Sequence, residues 1–354
     1  LKTTPRNLYL VARTLVLATI GGTLGHIAGL PSGWLLGSLI LVTGAALSGL
    51  RISVPESSKY ILSIVLGVSI GSNVDDQMMS QLSHWFSSYL LFALMLLLLL
   101  WAVYLFYRKK MHWPAADALF CSVPGNLAIT LTMALDSSAS SQRIVLVHSI
   151  RLGFLVAVVP FLLPLLGEPQ VSLEQTSYPF SWELPIALAL AVLGGWLAAL
   201  AKMPAPWLLG AMTITIVLKI GLGWQLHIPS SLMIVILIGL GALIGSRFNG
   251  LKIRHCLPEL KAGLGGLIIT LAFSIGFAGL TSTLFPIPFL SALLAYAPGG
   301  IEAMVLLATN LQLDPVLVAS HHLMRVIFMS FLVPVLLRYF VAENQEMTKS
   351  DYGS

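Results

Sequence analysis

The sequence predicts an all-α polytopic membrane protein made of two tandem copies of one unit. Three observations carry this. The chain has 354 residues, 57% hydrophobic and only 9% charged, with a mean hydropathy of +0.91. Soluble domains carry about 25% charged residues, so this chain could not coat itself in water. Uncharged apolar runs such as Leu90 to Tyr107 reach the roughly 18 residues of a membrane span, and Ile144 to Leu166 does so around one arginine. Backbone groups in lipid must pair within the segment, so such runs are helices. The third observation is an internal repeat.

Pro31, Trp34, Leu35, Leu36 and Gly37 recur 173 positions later as Pro204, Trp207, Leu208, Leu209 and Gly210. Gly67, Gly71, Ser72, Pro124, Gly125, His148, Arg151 and Pro160 recur 174 positions later as Gly241, Gly245, Ser246, Pro298, Gly299, His322, Arg325 and Pro334. One single-residue shift over such a length is not a chance pattern. The first repeat spans 1–166, with apolar segments near 9–28, 34–50, 58–73, 86–107, 114–135 and 144–166. An acidic linker, 167–183, carries Glu168, Glu174 and Glu183. The second repeat, 184–340, has segments near 184–201, 206–222, 230–247, 261–284, 288–309 and 315–340, and a polar tail follows at 341–354. Lys2 and Arg6 ahead of an apolar run mimic a signal peptide. The run from Leu15 to Ala28 has its counterpart at Leu188 to Lys202, so it is expected to be a span.

Matched loops carry opposite charge. Loop 74–85 holds Asp75 and Asp76, whereas its counterpart holds Arg247, Lys252, Arg254 and Lys261. Arg108, Lys109 and Lys110 correspond to the neutral stretch Thr281 to Phe285. Positive loops stay cytoplasmic, so the repeats are expected to be inverted, with an odd number of crossings each. Six segments then include one that does not cross in the ordinary way. The fifth, broken by Pro-Gly, is the candidate: about five spans plus one re-entrant or discontinuous segment per repeat. Both termini fall inside and the acidic linker outside, with Lys219 the main misfit.

Irregular backbone at membrane depth survives only when buried in protein or lining a cavity. Paired broken segments in two halves are the best sequence pointer to a transporter site. Half-helices starting at Asn126 and Ile301, with Gly125, Gly299 and Gly300 at the tips, would direct N–H groups and a positive dipole end at the midplane, which suits an anion. The alternative is a simple kink. Arg151 and Arg325 lie deep in apolar runs, where an ionised side chain is a functional hypothesis by default. His148 and His322 precede them by three residues, on the same helix face. These arginines contact a ligand, or form a buried ion pair, or bond carbonyls of the broken segment; the roles are not exclusive. Glu302 could neutralise Arg325 or serve as a proton or sodium coupling site; Asp314 is a coupling candidate or a helix cap. Asp117, shortly after Pro114, looks like an ordinary helix start. Trp34, Trp207, Gly37, Gly67, Gly71 and Cys121 are expected to serve packing.

Other chemistries find little support. His321 and His322 are adjacent and point to different faces, no His-x-x-x-His, Cys-x-x-Cys or Walker A pattern occurs, and no metal, cofactor or enzymatic activity is expected. The charge of +5 sits in short loops, which orients spans and gives no nucleic-acid face.

The pattern Pro298-Gly299-Gly300, Met304, Asp314, His322, Arg325, echoed by Pro124, Gly125, Asn126, Ser140, His148 and Arg151, resembles the AbrB-duplication family of bacterial inner-membrane proteins, sometimes labelled aidB regulator or ammonia monooxygenase. It departs from the family's Gln-x-x-Arg in having His in both copies, and the first copy lacks the second Gly and the Asp. The family is distinct from the small soluble DNA-binding regulator of similar name. The resemblance implies a fold similar to inverted-repeat transporters and a link to gene regulation. The residues and the resemblance together lead to an expected secondary transporter of a small, anionic solute, coupled to a proton or sodium ion or uncoupled, with the lipid bilayer as its surroundings and oligomers allowed. The alternative is a membrane-embedded sensor or regulator of gene expression.

Overall fold

The computed structural model describes residues 5–55, 57–74, 85–124, 127, 130–131, 134, 137, 139–165, 182–203, 205–250 and 257–351. Every regular element among them is helical. The first repeat contributes α1 (Pro5–Ile27), α2 (Gly33–Leu47), α3 (Ser58–Asn73), α4 (Phe86–Leu105, extended by a π-helical turn Phe106–Lys110), α5 (Ala115–Ser122) and α6 (Ser141–Leu165). The second contributes α7 (Glu183–Leu200), α8 (Pro206–Leu222), α9 (Ser230–Gly245), α10 (Leu257–Leu284), α11 (Phe289–Tyr296), α12 (Ile301–Asn310) and α13 (Pro315–Asp351). Seven helical stretches among the described residues are long and apolar enough to span a bilayer: Asn7–Ile27, Phe86–Lys110, Ser141–Val159, Glu183–Leu200, Ser230–Phe248, Leu257–Leu284 and Pro315–Val333. The protein is an all-α polytopic membrane protein.

The helices fall where the apolar segments do. The acidic linker, apart from Trp182 and Glu183 at the start of α7, lies outside the described residues, as do Gly125, Asn126 and the acidic loop at 75–84. The polar tail continues the last span as one helix as far as Asp351.

The chain forms two compact units. The first gathers Leu1–Trp85, Gly153–Cys256 and Ile301–Ala319; the second gathers Phe86–Leu152, Leu257–Gly300 and Ser320–Ser354. The first unit holds segments one to three of both repeats, and its packing is reciprocal. α1 packs on α2 as α7 packs on α8; α2 packs on α9 as α8 packs on α3. Small residues make these crossings possible. A Cβ on Gly37 would lie 2.0 Å from the Gly21 carbonyl oxygen, and one on Gly210 would lie 2.2 Å from that of Gly194. A Cβ on Gly67 would meet the Leu208 oxygen at 2.4 Å, and one on Gly241 the Leu35 oxygen at 2.7 Å. Leu208 and Leu35 are themselves repeat mates. Contacts of the form A with B′ and A′ with B are the signature of a two-fold relation. Backbone detail repeats too: Ser32 and Ala205, at the entries of α2 and α8, are both left-handed, with φ of 49° and 46°. The expected packing roles of Trp34 and Trp207 follow, since each lies against a glycine of the preceding helix, Gly22 and Gly195.

Lys219, the topological misfit, donates from Nζ to the Ser72 carbonyl at 2.7 Å. A cation at the carbonyl end of α3 complements that helix's negative pole. Lys219 thus has a local role at a helix end.

Gly67→Ala and Gly241→Ala are each expected to lower the melting temperature in detergent, at an overpacking cost of about 1–3 kcal/mol. Gly276→Ala, where an added Cβ meets nothing within 4 Å, is expected to be neutral or slightly stabilising. Equal effects at all three positions in a fluorescence-detected melt would contradict the reciprocal packing.

Candidate functional site

The second unit holds both buried arginine–histidine pairs. The helix of the fifth segment stops in both repeats. α5 ends at Ser122 ahead of Pro124, and α11 ends at Tyr296 ahead of Pro298, with helix resuming at Ile301. Proline removes a donor, and a helix that stops leaves its last carbonyls without intrahelical partners. α11 and α12 have 8 and 10 residues, so each spans about 12–15 Å at 1.5 Å per residue, less than half a bilayer core to half of it.

The orphan carbonyls find their partners on the sixth segment. His148 on α6 donates from Nε2 to the Phe120 carbonyl at 3.1 Å. His322 on α13 donates in the same way to the Leu294 carbonyl at 3.0 Å, and Phe120 and Leu294 are repeat mates. A carbonyl only accepts, so Nε2 carries the proton in both. Arg151 donates from Nη2 to the Val123 carbonyl at 3.0 Å and to His148 Nδ1 at 3.2 Å. Arg325 donates from Nη2 to the Gly299 carbonyl at 2.8 Å, further along the break. His148 and Arg151 share a helix face and bond each other, and each arginine bonds a carbonyl of its broken segment. The Arg151 guanidinium sits at the C-terminal, negative pole of α5, where a cation is stabilised.

The two copies are not equivalent. In the first, His148 Nδ1 accepts from Arg151. In the second, His322 Nδ1 is buried and has no partner among the described residues. His322 is 0% exposed and Arg325 2%, so this lone pair sits in a dry interior beside a fixed cation. Among the described residues no carboxylate forms an ion pair with Arg151.

The other predicted residues have contacts of their own. Asp314 caps α13: its Oδ1 accepts from the Val316 and Leu317 amides at 3.0 and 2.9 Å. Glu302, in the first turn of α12, belongs to the first unit, where its charge acts on Arg247. Gly299 contributes its carbonyl and Gly300 ends the break; Gly125 and Asn126 lie outside the described residues. Asn310, the mate of Asp136, donates from Nδ2 to Ser32 Oγ at 2.7 Å, which ties the end of α12 to the entry of α2.

Sequence reasoning missed one cluster. Asp117 is not merely the first turn of a helix. It is buried, accepts from the Ser140 amide at 2.6 Å, and pairs with Arg143 at the start of α6. Arg143 also lies 3.6 Å from Glu259 of α10 and stacks over Trp113 at 4.7 Å. One arginine thereby joins the N-terminal ends of α5, α6 and α10. The only signal in the sequence was an acid and a base each following a chain break.

The family model described as "Transition state regulatory protein AbrB" matches residues 34–341. The chain belongs to this family. Among curated AbrB relatives, the chain is 26% identical to "Uncharacterized protein YhjN" of Bacillus subtilis (strain 168), over 96% of each chain. It is 24% identical to "Putative regulator AbrB" of Escherichia coli (strain K12), over 92% of this chain and 93% of that one. No solved structure matches. The repeat-wide AbrB match thus covers both broken segments and both arginine–histidine pairs.

Asp117→Asn and Arg143→Gln are each expected to lower the melting temperature. The double variant should melt no lower than the worse single one, because contacting partners are not additive. Strictly additive shifts would show that the pair contributes nothing in solution.

Proposed function

We propose that the protein is a secondary transporter that moves a small anionic solute across the bacterial inner membrane by alternating access. The observation that carries this is the pairing, in both repeats, of a fifth segment whose helix stops at proline with a buried Arg and His from the sixth. In transporters built from repeats, such interrupted helices surround the substrate at the midplane. The arginines are permanent cations in a low-dielectric interior, and the bonds found for them here are to neutral carbonyls and a neutral imidazole. An anion bound beside them would be held by that charge. In this mechanism Arg325 attracts the solute and the lone pair of His322 Nδ1 accepts from a donor group on it. Glu302, balanced against Arg247, would offer a second charge pair that rearranges between states. Because Asp314 already caps a helix, coupling at that residue is the weaker option.

The reciprocal packing of the first unit fits repeats related by a two-fold axis, and the loop charges favour an axis in the membrane plane. Both termini would then be cytoplasmic. With Cys121 and Cys256 replaced by Ser, cysteines at Lys109 and at its mate Thr283 are expected to react with an impermeant maleimide from opposite sides. Labelling from one side only would exclude inversion.

A second reading, a membrane-embedded sensor that binds the same anion without moving it, is favoured by the regulatory names of the family and of the Escherichia coli relative. A melting screen against acetate, malonate, succinate and phosphate addresses the shared site. Binding at one hundred times Kd stabilises the folded state by about 2.7 kcal/mol. At least one anion is expected to raise the melting temperature of the wild type and not that of Arg325→Ala. Flux of that anion into proteoliposomes would separate transport from sensing. If no anion stabilises the protein, and Arg151→Ala and Arg325→Ala melt like the wild type, the arginine-lined site does not exist.

A further inference from the structure

Three histidines are buried in the second unit, and their partners decide which of them can change charge. His148 and His322 each direct Nε2 at a carbonyl, which fixes a proton there. Nδ1 of His148 is occupied as an acceptor by Arg151, so protonation would break that bond. Nδ1 of His322 has no hydrogen-bond partner among the described residues.

His321 is built differently. It is 1% exposed, and its Nε2 lies 2.9 Å from Ser88 Oγ on α4. A hydroxyl rotates to donate or accept, so this partner serves imidazole and imidazolium without repacking. Ser88 is held in place by its own carbonyl, which accepts from the Tyr296 hydroxyl at 2.9 Å; the Tyr296 carbonyl in turn accepts from Ser274 of α10 at 3.3 Å. Three rings enclose the imidazole: Tyr89 at 4.6 Å, Phe92 at 5.5 Å and Tyr296 at 5.7 Å between centroids. Aromatic faces within about 6 Å stabilise a cation that has left water. Among the described residues, the groups facing His321 include Ser88, Tyr89 and Phe92 from α4 and Tyr296 from α11. From α13 itself come Ser320, whose Oγ is 3.5 Å from Nδ1, and, along the same helix, His322 and Arg325.

We infer that His321 is a proton-binding site coupled to the anion site of Arg325 and His322. The inference rests on the transport reading above and names its coupling ion. A proton on His321 places a second positive charge near Arg325, and a bound anion offsets the repulsion. Each ligand therefore binds more tightly when the other is present, and the coupling is reciprocal. One proton carried with one monovalent anion moves no net charge.

The test uses the full-length protein labelled with 13C,15N-histidine in detergent, with the His321 resonances assigned by their loss in His321→Gln. They are expected to titrate between about pH 5 and 8, the range where imidazole changes charge, and saturating acetate should raise the midpoint. Calorimetry should show acetate affinity falling roughly tenfold per pH unit above the midpoint of the free protein, and no such fall in His321→Gln. A His321 that keeps one protonation state throughout that range, while acetate still binds, overturns this inference and leaves the anion site standing. So does a pH dependence that His321→Gln retains. A His321 that titrates with a midpoint no small anion moves, in a protein no small anion stabilises, overturns the coupling together with the proposed function. Phe92→Leu, which removes one ring and keeps the hydroxyl partner, should lower the midpoint; an unchanged midpoint would remove the aromatic part of the argument.

Discussion

Every backbone carbonyl at membrane depth must find a donor, and most of this architecture can be derived from that demand. Long helices meet it internally. A segment that stops halfway cannot, and two of the twelve segments stop halfway at Val123-Pro124 and Ala297-Pro298. Each leaves carbonyls that water would satisfy in a soluble protein. Here the donors come from a neighbouring helix: His148 and Arg151 in one copy, His322 and Arg325 in the other. The break and the buried cation are one feature. Neither would be tolerable alone, because an unsupported carbonyl and an unsupported guanidinium both cost several kcal/mol in hydrocarbon.

Solving the carbonyl problem with arginine creates a second problem, which points toward function. A lysine or glutamine could donate to a carbonyl with less charge burial or none. Arginine leaves a permanent cation in a dry bundle. Under the proposed function that cation is what the solute anion would bind. The cluster at Arg143 shows what the same chain does when the cation is wholly structural: it supplies Asp117, Glu259 and the face of Trp113 together. Arg143 lies between two acids, whereas Arg151 is bonded to a carbonyl and an imidazole, and that contrast is what supports reading Arg151 as part of a site.

Much of this was legible in the sequence because the repeat reports on itself. The offset of 173 to 174 located the helices, the broken segments and the arginine–histidine pairs, since each feature appears twice. The glycine spacings signalled close crossings, and the structure adds which helices cross: Gly67 meets Leu208 and Gly241 meets Leu35, an exchange between repeats that no local pattern encodes. What stayed hidden lacks a repeat mate. Asp117 aligns with Ser291, Arg143 with Leu317 and His321 with Val147, so self-comparison was silent about all three. Asp314 was ambiguous for another reason, because a cap and a ligand present the same residue type at the same helix end.

The residues without mates are also where the two halves must differ. Two identical inverted halves would give two mirror-related states of equal energy, with nothing to set a direction or to admit a second ligand on one side only. The first copy spends its histidine on its arginine, and Arg151 is thereby fixed at Val123. In the second copy Arg325 reaches along the break to Gly299, His322 keeps a lone pair, and His321 stands one residue away with a hydroxyl partner that accepts either charge state. The symmetric part of the sequence therefore builds the frame and the two cationic poles. In the proposed mechanism the asymmetric part holds Arg151 rigidly and leaves the Arg325 pole able to respond, and it is there that a proton and an anion would influence each other.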